Sequence, residues 1–441
     1  MEMRWSLKEL YNSFDDEQFK SDFTKINEII KNINEFTANE LVNYNNTGNK
    51  IEEIISSFIT YYKTYSLLRT YTFLSLSTDA RNEQAAKLLE KLNQKDTELT
   101  KSKVKIEKWL AGVSSMEEYV KESKLIEEHK FFLEELLEKS KYLLSEKEEL
   151  IISKMRNTGS RAWTKLQQDL TSTLMIKVEI NGETKELPLP VVRNMAYKKD
   201  PQIRKNAYHA ELSAYEKIDE SVAASLNGIK GEVITTTELR GYKSPLEKTL
   251  LDSRMKKETI DTMFHAIKES LPVFRSYYRH KAELLGHDKG LPFYDVFAPV
   301  AEVDMNFTYS EARDFIVENF RSFSDSMADY AANAFEKKWI DAEPREGKRG
   351  GAFCSNIHPI GESRILANFT GSYNDVSTLA HELGHGYHGY CLKDASILNS
   401  DYPMPLAETA SIFCQTIVDL AAIEQSDSDN ALAILESSIS D

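Results

Sequence analysis

The chain has only three cysteines in 441 residues, Cys354, Cys391 and Cys414. Three thiols cannot all pair within one chain, and so few exclude a disulfide-stapled scaffold. Basic residues are in the minority, with 55 Lys and Arg against 70 Asp and Glu and a formal net charge of −15. That balance lacks the cationic excess a constitutive nucleic-acid partner requires, although a local basic patch is still allowed. No run approaches the roughly 18 consecutive apolar residues of a membrane span. Nor does the start, MEMRWSLKELYNSF, join a basic segment to an apolar one as a secretion signal does. These absences point to a soluble cytoplasmic protein with neither nucleic acid nor membrane as a partner. The length allows two or three domains with a substantial core.

Proline is missing until Pro188. Long helices can therefore run through the first part of the chain without enforced breaks. Stretches 85–110 and 124–155 place apolar residues at three- and four-residue spacing with Glu and Lys between them. This predicts packed helical hairpins, and no heptad persists long enough for a coiled coil. LMIKVEINGETKELPLP (174–190) alternates apolar and polar residues about Asn181-Gly182, which predicts a β-hairpin with a type I′ turn. Helical spacing resumes over 200–239, 257–285 and 310–341, while GAFCSNI and SRILANF read as short strands. The expectation is a mainly α protein, with an N-terminal helical domain over 1–195 that carries the hairpin and a second domain over 196–441.

Three of the nine histidines fall within DVSTLAHELGHGYHGYCL, 375–392. Asn374 or Asp375 can cap a helix running to about Lys393. On it His381 and His385 lie one turn apart on one face, where two imidazoles can reach a single zinc. Glu382 stands about 100° around the helix, toward the open side of such an ion, where a general base belongs. His388 shares the face but lies about 10 Å along the axis from His381, too far to converge on the same ion. A third ligand must come from elsewhere. The stretch 402–424 reads as a helix opened by Pro405, with Glu408 in its first turn, and can complete a two-His, one-Glu set. By composition alone an H-E-x-x-H arises in roughly 3 of 100 such chains, so the helical context carries weight.

HELGHGYH followed by LAETASIF resembles the M3 metallopeptidases, in the manner of oligoendopeptidase F. RNTGSRAW (156–163), DPQIRKNAY (200–208), FYDVFAP (293–299) and ILANFTGSYNDVSTLAHE (365–382) match in the same order. The resemblance implies a two-lobed helical zincin-type peptidase with a small β element near the active-site helix. It also implies one Zn2+ per chain and internal cleavage of short oligopeptides. His381, His385 and Glu408 match the family's zinc ligands, and Glu382 its catalytic glutamate, acting as general base toward zinc-activated water. GGAFCSN (350–356) matches the strand that lines the substrate. Cys354 on it reads as a buried thiol rather than a redox-sensitive one.

Two departures stand out. Gln415 occupies the position, seven residues after the ligand Glu, where the family carries Glu. And the chain stops at ALAILESSISD, where the family continues with substrate-binding Tyr and His residues. The expectation is a zinc-dependent endopeptidase whose catalytic domain is incomplete at its C-terminus. An inactive or weakly active zinc-containing peptide-binding fragment and a metallocarboxypeptidase on the same scaffold are the alternatives.

Overall fold

The computed structural model describes residues 2–300 and 305–440. By contacts the chain divides into two compact units, Met1–Leu150 with Met305–Ala421, and Ile151–Asp304 with Ala422–Asp441. Each unit is thus built from two separate stretches, whereas the sequence texture suggests a single cut after residue 195.

In the second unit, β1 (Met175–Ile180) pairs antiparallel with β2 (Glu183–Pro188). Asn181 and Gly182 make the turn with φ of 54° and 82°, the positive pair a type I′ turn needs. Ile176 and Val178 alternate inward and meet Leu189, Val192, Ala207 and Ala214. The helix Pro201–Tyr215 starts on the Asp200 side chain with proline at its first position. Arg204 on it is buried and pairs with Asp295 at 2.6 Å, while His287 Nε2 holds the other Asp295 oxygen at 2.7 Å. DPQIRKNAY and FYDVFAP are joined by this buried ion pair.

In the first unit, helices Glu17–Asn39 and Thr47–Thr78 close over Ile26, Ile30, Ile33, Ile51, Ile54 and Phe58. The spacing over 310–341 predicts one helix, but the structure has two, Tyr309–Phe323 and Asp325–Glu336. Ser324 divides them, because its extended backbone ends the first and its hydroxyl accepts from Met327 N to cap the second. Then come β3 (Ile340–Asp341), β4 (Phe353–Ile357) and β5 (Glu362–Leu366), in sheet order β3-β5-β4. β5 is central and buried, and β4 is an edge strand antiparallel to it.

Two further helices of this unit matter for the site. The histidine helix runs Tyr373–Cys391. Its cap is Ser372 rather than Asn374 or Asp375. Asp375 sits at the third helical position and returns a bond to the Ser372 N–H, forming a capping box. The glutamate helix runs Met404–Gln425. By length and composition it is apolar enough to cross a membrane, with mean hydropathy 1.4, contrary to the expectation that nothing comes close. Glu408, Ser411, Gln415 and Asp419 nevertheless fall on one stripe at helical spacing. Asp419 accepts buried hydrogen bonds from Tyr373 and Ser377 at 2.6 and 2.9 Å. Asp419 thus packs its face against the histidine helix, while Leu406, Ile412, Phe413 and Leu420 of the same helix are exposed.

Candidate metal centre

Three glycines interrupt the histidine helix, Gly384, Gly386 and Gly389, each costing about 1 kcal/mol against alanine in a helix interior. Packing accounts for all three. A β-carbon on Gly384 would lie 2.6 Å from the Ala410 carbonyl oxygen and 2.7 Å from Ser411 Cα, so the glutamate helix crosses there at backbone contact. One on Gly386 would strike the Tyr330 hydroxyl and Ser363, and one on Gly389 would strike the Asn356 side-chain amide. The helix gives up intrinsic stability so that its neighbours can reach its backbone on three sides.

The crossing at Gly384 sets the site. Glu408 Oε2 comes within 3.3 Å of His381 Nε2 and 3.5 Å of His385 Nε2. The two imidazoles meet edge to face, with centroids 4.9 Å apart. Gln415 Oε1 lies 2.9 Å from His381 Nδ1. Nδ1 therefore carries the hydrogen, and the lone pair on Nε2 points at the carboxylate. A nitrogen lone pair and a carboxylate oxygen at that distance repel unless a cation or proton lies between them. Zinc bonds of 2.0–2.1 Å in tetrahedral array separate neighbouring ligand atoms by about 3.4 Å, so the spacing fits that ion. Ser411 Oγ donates to the same carboxylate at 3.0 Å. Burial, and then the neighbouring His381, lower the His385 pKa, favouring the neutral imidazole that binds metal. Among the described residues, this is the one cluster of three His, Cys, Asp or Glu side chains close enough to hold a metal ion.

Glu382 is 6% exposed, and its Oε2 is buried without a hydrogen-bond partner. Burial, and secondarily the Glu408 charge, push its pKa up to about 7. A bound cation would act in the opposite direction. Cys354 on β4 lies near enough to feel the Glu382 charge, and burial pushes its thiol pKa up, which leaves it unreactive as a nucleophile. His388 is not in the cluster. Its ring stacks on Tyr402 at 4.1 Å and 14°. With Leu406, Glu408, Ile412 and Phe413 it lines an apolar groove of about 640 Å³.

Residues 194–440 match the family model of peptidase family M3, more than half of the chain. The chain belongs to peptidase family M3. A second model, described as Oligopeptidase F, matches residues 112–175. Oligopeptidase PepF of Bacillus subtilis (strain 168) is 23% identical over 414 residues, covering 92% of this chain and 60% of that protein. The oligoendopeptidase F homolog of Lactococcus lactis is 26% identical over 332 residues, covering 74% of this chain and 53% of that protein. The M3 chain described here thus spans less than two thirds of the length of these curated relatives. Its fold is similar to a crystal structure described as that of a peptidase from Chlamydophila abortus, with a TM-score of 0.76 at 20% identity, covering 99% of this chain and 73% of that one. Oligoendopeptidase-F from Enterococcus faecium aligns with a TM-score of 0.66 at 17% identity, covering 96% and 71%.

In this M3 chain the four residues singled out from the sequence, His381, Glu382, His385 and Glu408, fall together, and Gln415 reaches the first of them. Asn356 and Tyr402 were not legible in advance. Asn356 Nδ2 donates to the His385 carbonyl and to the Tyr402 hydroxyl, both at 3.2 Å. The available signal was Gly389, a helix-interior glycine that calls for a close neighbour.

Proposed function

We propose that this chain carries the zinc site and the catalytic glutamate of a peptidase that hydrolyses internal bonds of short oligopeptides. One observation carries the reading: Glu408 Oε2 stands 3.3 and 3.5 Å from the Nε2 atoms of His381 and His385, and the residue after His381, Glu382, holds a buried carboxylate oxygen without a hydrogen-bond partner. His381, His385 and Glu408 would hold the ion, and two histidines with one glutamate are the donor set of hydrolytic zinc sites that keep a position open. Zinc, when bound, supplies Lewis-acid polarisation of the peptide carbonyl and acidifies water.

The chain's own residues would do the rest. Glu382 takes a proton from the attacking water as its oxygen bonds the carbonyl carbon. It then delivers that proton to the amine nitrogen as the C–N bond breaks. Burial of Glu382 keeps its carboxyl out of bulk water on the residue next to His381. Gln415 keeps His381 in the metal-binding tautomer, and Ser411 orients the Glu408 carboxylate. The apolar groove beside Glu408 offers a surface to uncharged substrate side chains.

A second reading is a zinc-holding, peptide-binding chain with little turnover. The neutral Gln415 supports it, since an amide raises ligand basicity less than a carboxylate does. Mass spectrometry of peptide digests with and without a chelator separates the possibilities. Internal cleavage lost on chelation supports the endopeptidase. Trimming of single C-terminal residues points to a carboxypeptidase, and intact peptides in both arms to the binding module.

A further inference from the structure

Asn356 sits on the edge strand β4, and its one amide nitrogen touches two segments of the first unit. It donates to the backbone carbonyl of His385 and to the hydroxyl of Tyr402, each at 3.2 Å. The amide fills the space where a side chain at position 389 would begin. A β-carbon on Gly389 would lie 2.7 Å from Asn356 Nδ2 and nearer still to its other amide atoms. Tyr402, held at its hydroxyl, lays its ring on His388, three residues beyond His385. Strand, helix and loop are thereby joined in one bracket immediately after the second histidine of the H-E-x-x-H.

We propose that Asn356 is a positioning residue of the metal centre, acting through the His385 backbone; this rests on the zinc reading above. The stretch that follows His385 is weak by itself. It contains Gly386 and Gly389, two residues of low helix propensity, within the last six positions of a helix that ends at Cys391. An external donor on the His385 carbonyl holds those turns wound, and with them the direction of the imidazole toward Glu408. Tyr402 on His388 braces the same turns from the loop side.

The test is zinc affinity, measured by competition with a chromophoric chelator, together with the visible spectrum of the cobalt(II)-substituted protein. Asn356→Asp is isosteric and removes both donors, and Asn356→Ala removes the amide. Each is expected to weaken zinc roughly three- to thirtyfold, below the 10–100-fold typical of a partner on the ligand ring itself. Each should also shift the cobalt bands, which a remote structural role would leave in place. Gly389→Ala leaves Asn356 intact but evicts its amide, and it should reproduce both effects even though helix propensity alone favours alanine. Wild-type affinity and spectrum in both Asn356 variants overturn the proposal. So does a loss of zinc that merely tracks a lowered unfolding midpoint of the metal-free chain. A wild-type protein that takes up no zinc overturns the metal reading itself, and that arm is read before any variant is compared.

Discussion

The amide oxygen of Gln415 stands 2.9 Å from Nδ1 of His381, two helical turns along the polar stripe from Glu408. The contact fixes the tautomer but brings no negative charge to the imidazole. Gln415→Glu should therefore tighten zinc by roughly 10–100-fold, the range over which partners of ligand histidines act. Chelator competition at fixed pH reads this directly. An unchanged dissociation constant would show that geometry rather than charge is what residue 415 supplies.

Glu382 lies beside the three ligand candidates without sharing their focus. Glu382→Gln is expected to keep one zinc per chain while peptide cleavage falls by about 10²–10⁴, the range for loss of a general acid–base. Metal analysis and peptide turnover on the same preparation check both halves. Loss of zinc in this variant would mean that the carboxylate supports the metal rather than the proton transfer.

Gly384 tests whether the helix crossing makes the site. Alanine there improves helix propensity but puts a β-carbon 2.6 Å from a backbone oxygen that no rotamer change can move. Gly384→Ala should lower the stability of the metal-free chain by about 1–3 kcal/mol in urea unfolding, as overpacked sites do. It should also weaken zinc, because Glu408 is carried away with the displaced helix. A stabilised variant with normal zinc content would contradict the crossing.

Glu107, in the N-terminal helices, gives a pH signature separate from the metal. Burial raises its pKa from 4.5 to about 7, with Lys139 opposing and Glu149 adding. The folded chain then binds more protons than the unfolded chain between those values, so stability falls as pH rises through that window. The contribution is fully present below pH 4.5 and lost above about 7. Glu107→Gln should flatten this slope and raise stability at pH 8 by on the order of 1–3 kcal/mol. Unfolding midpoints at pH 5 and 8 read the difference, and parallel shifts at both would rule out titration of Glu107.

The pairing of His381 and His385 was legible because it is local. Four-residue spacing on a helix needs no tertiary information to place His381 and His385 together, and helix rise alone excludes His388. The hairpin was legible for the same reason, since Asn181-Gly182 states its own backbone angles. The helix cap was misplaced by two or three residues because Asn374 and Asp375 are good caps in isolation. The choice went to Ser372, which lets Asp375 complete a reciprocal pair of bonds. The single domain cut at 195 assumed that neighbours in sequence are neighbours in space, whereas residues 305–421 pack with the first 150. Asn356 was hidden because nothing in FCSNI distinguishes a side chain aimed at another element's carbonyl.

The three glycines of the histidine helix bear on when the metal can be acquired. Excised from the fold, a segment of 19 residues with three glycines is a poor helix, and its two imidazoles hold no fixed separation. A nascent chain therefore offers free metal ions two loosely related histidines and no third ligand. The three side chains come together only once the glutamate helix has crossed at Gly384. A metal held by all three side chains would therefore be taken up only after that crossing has formed.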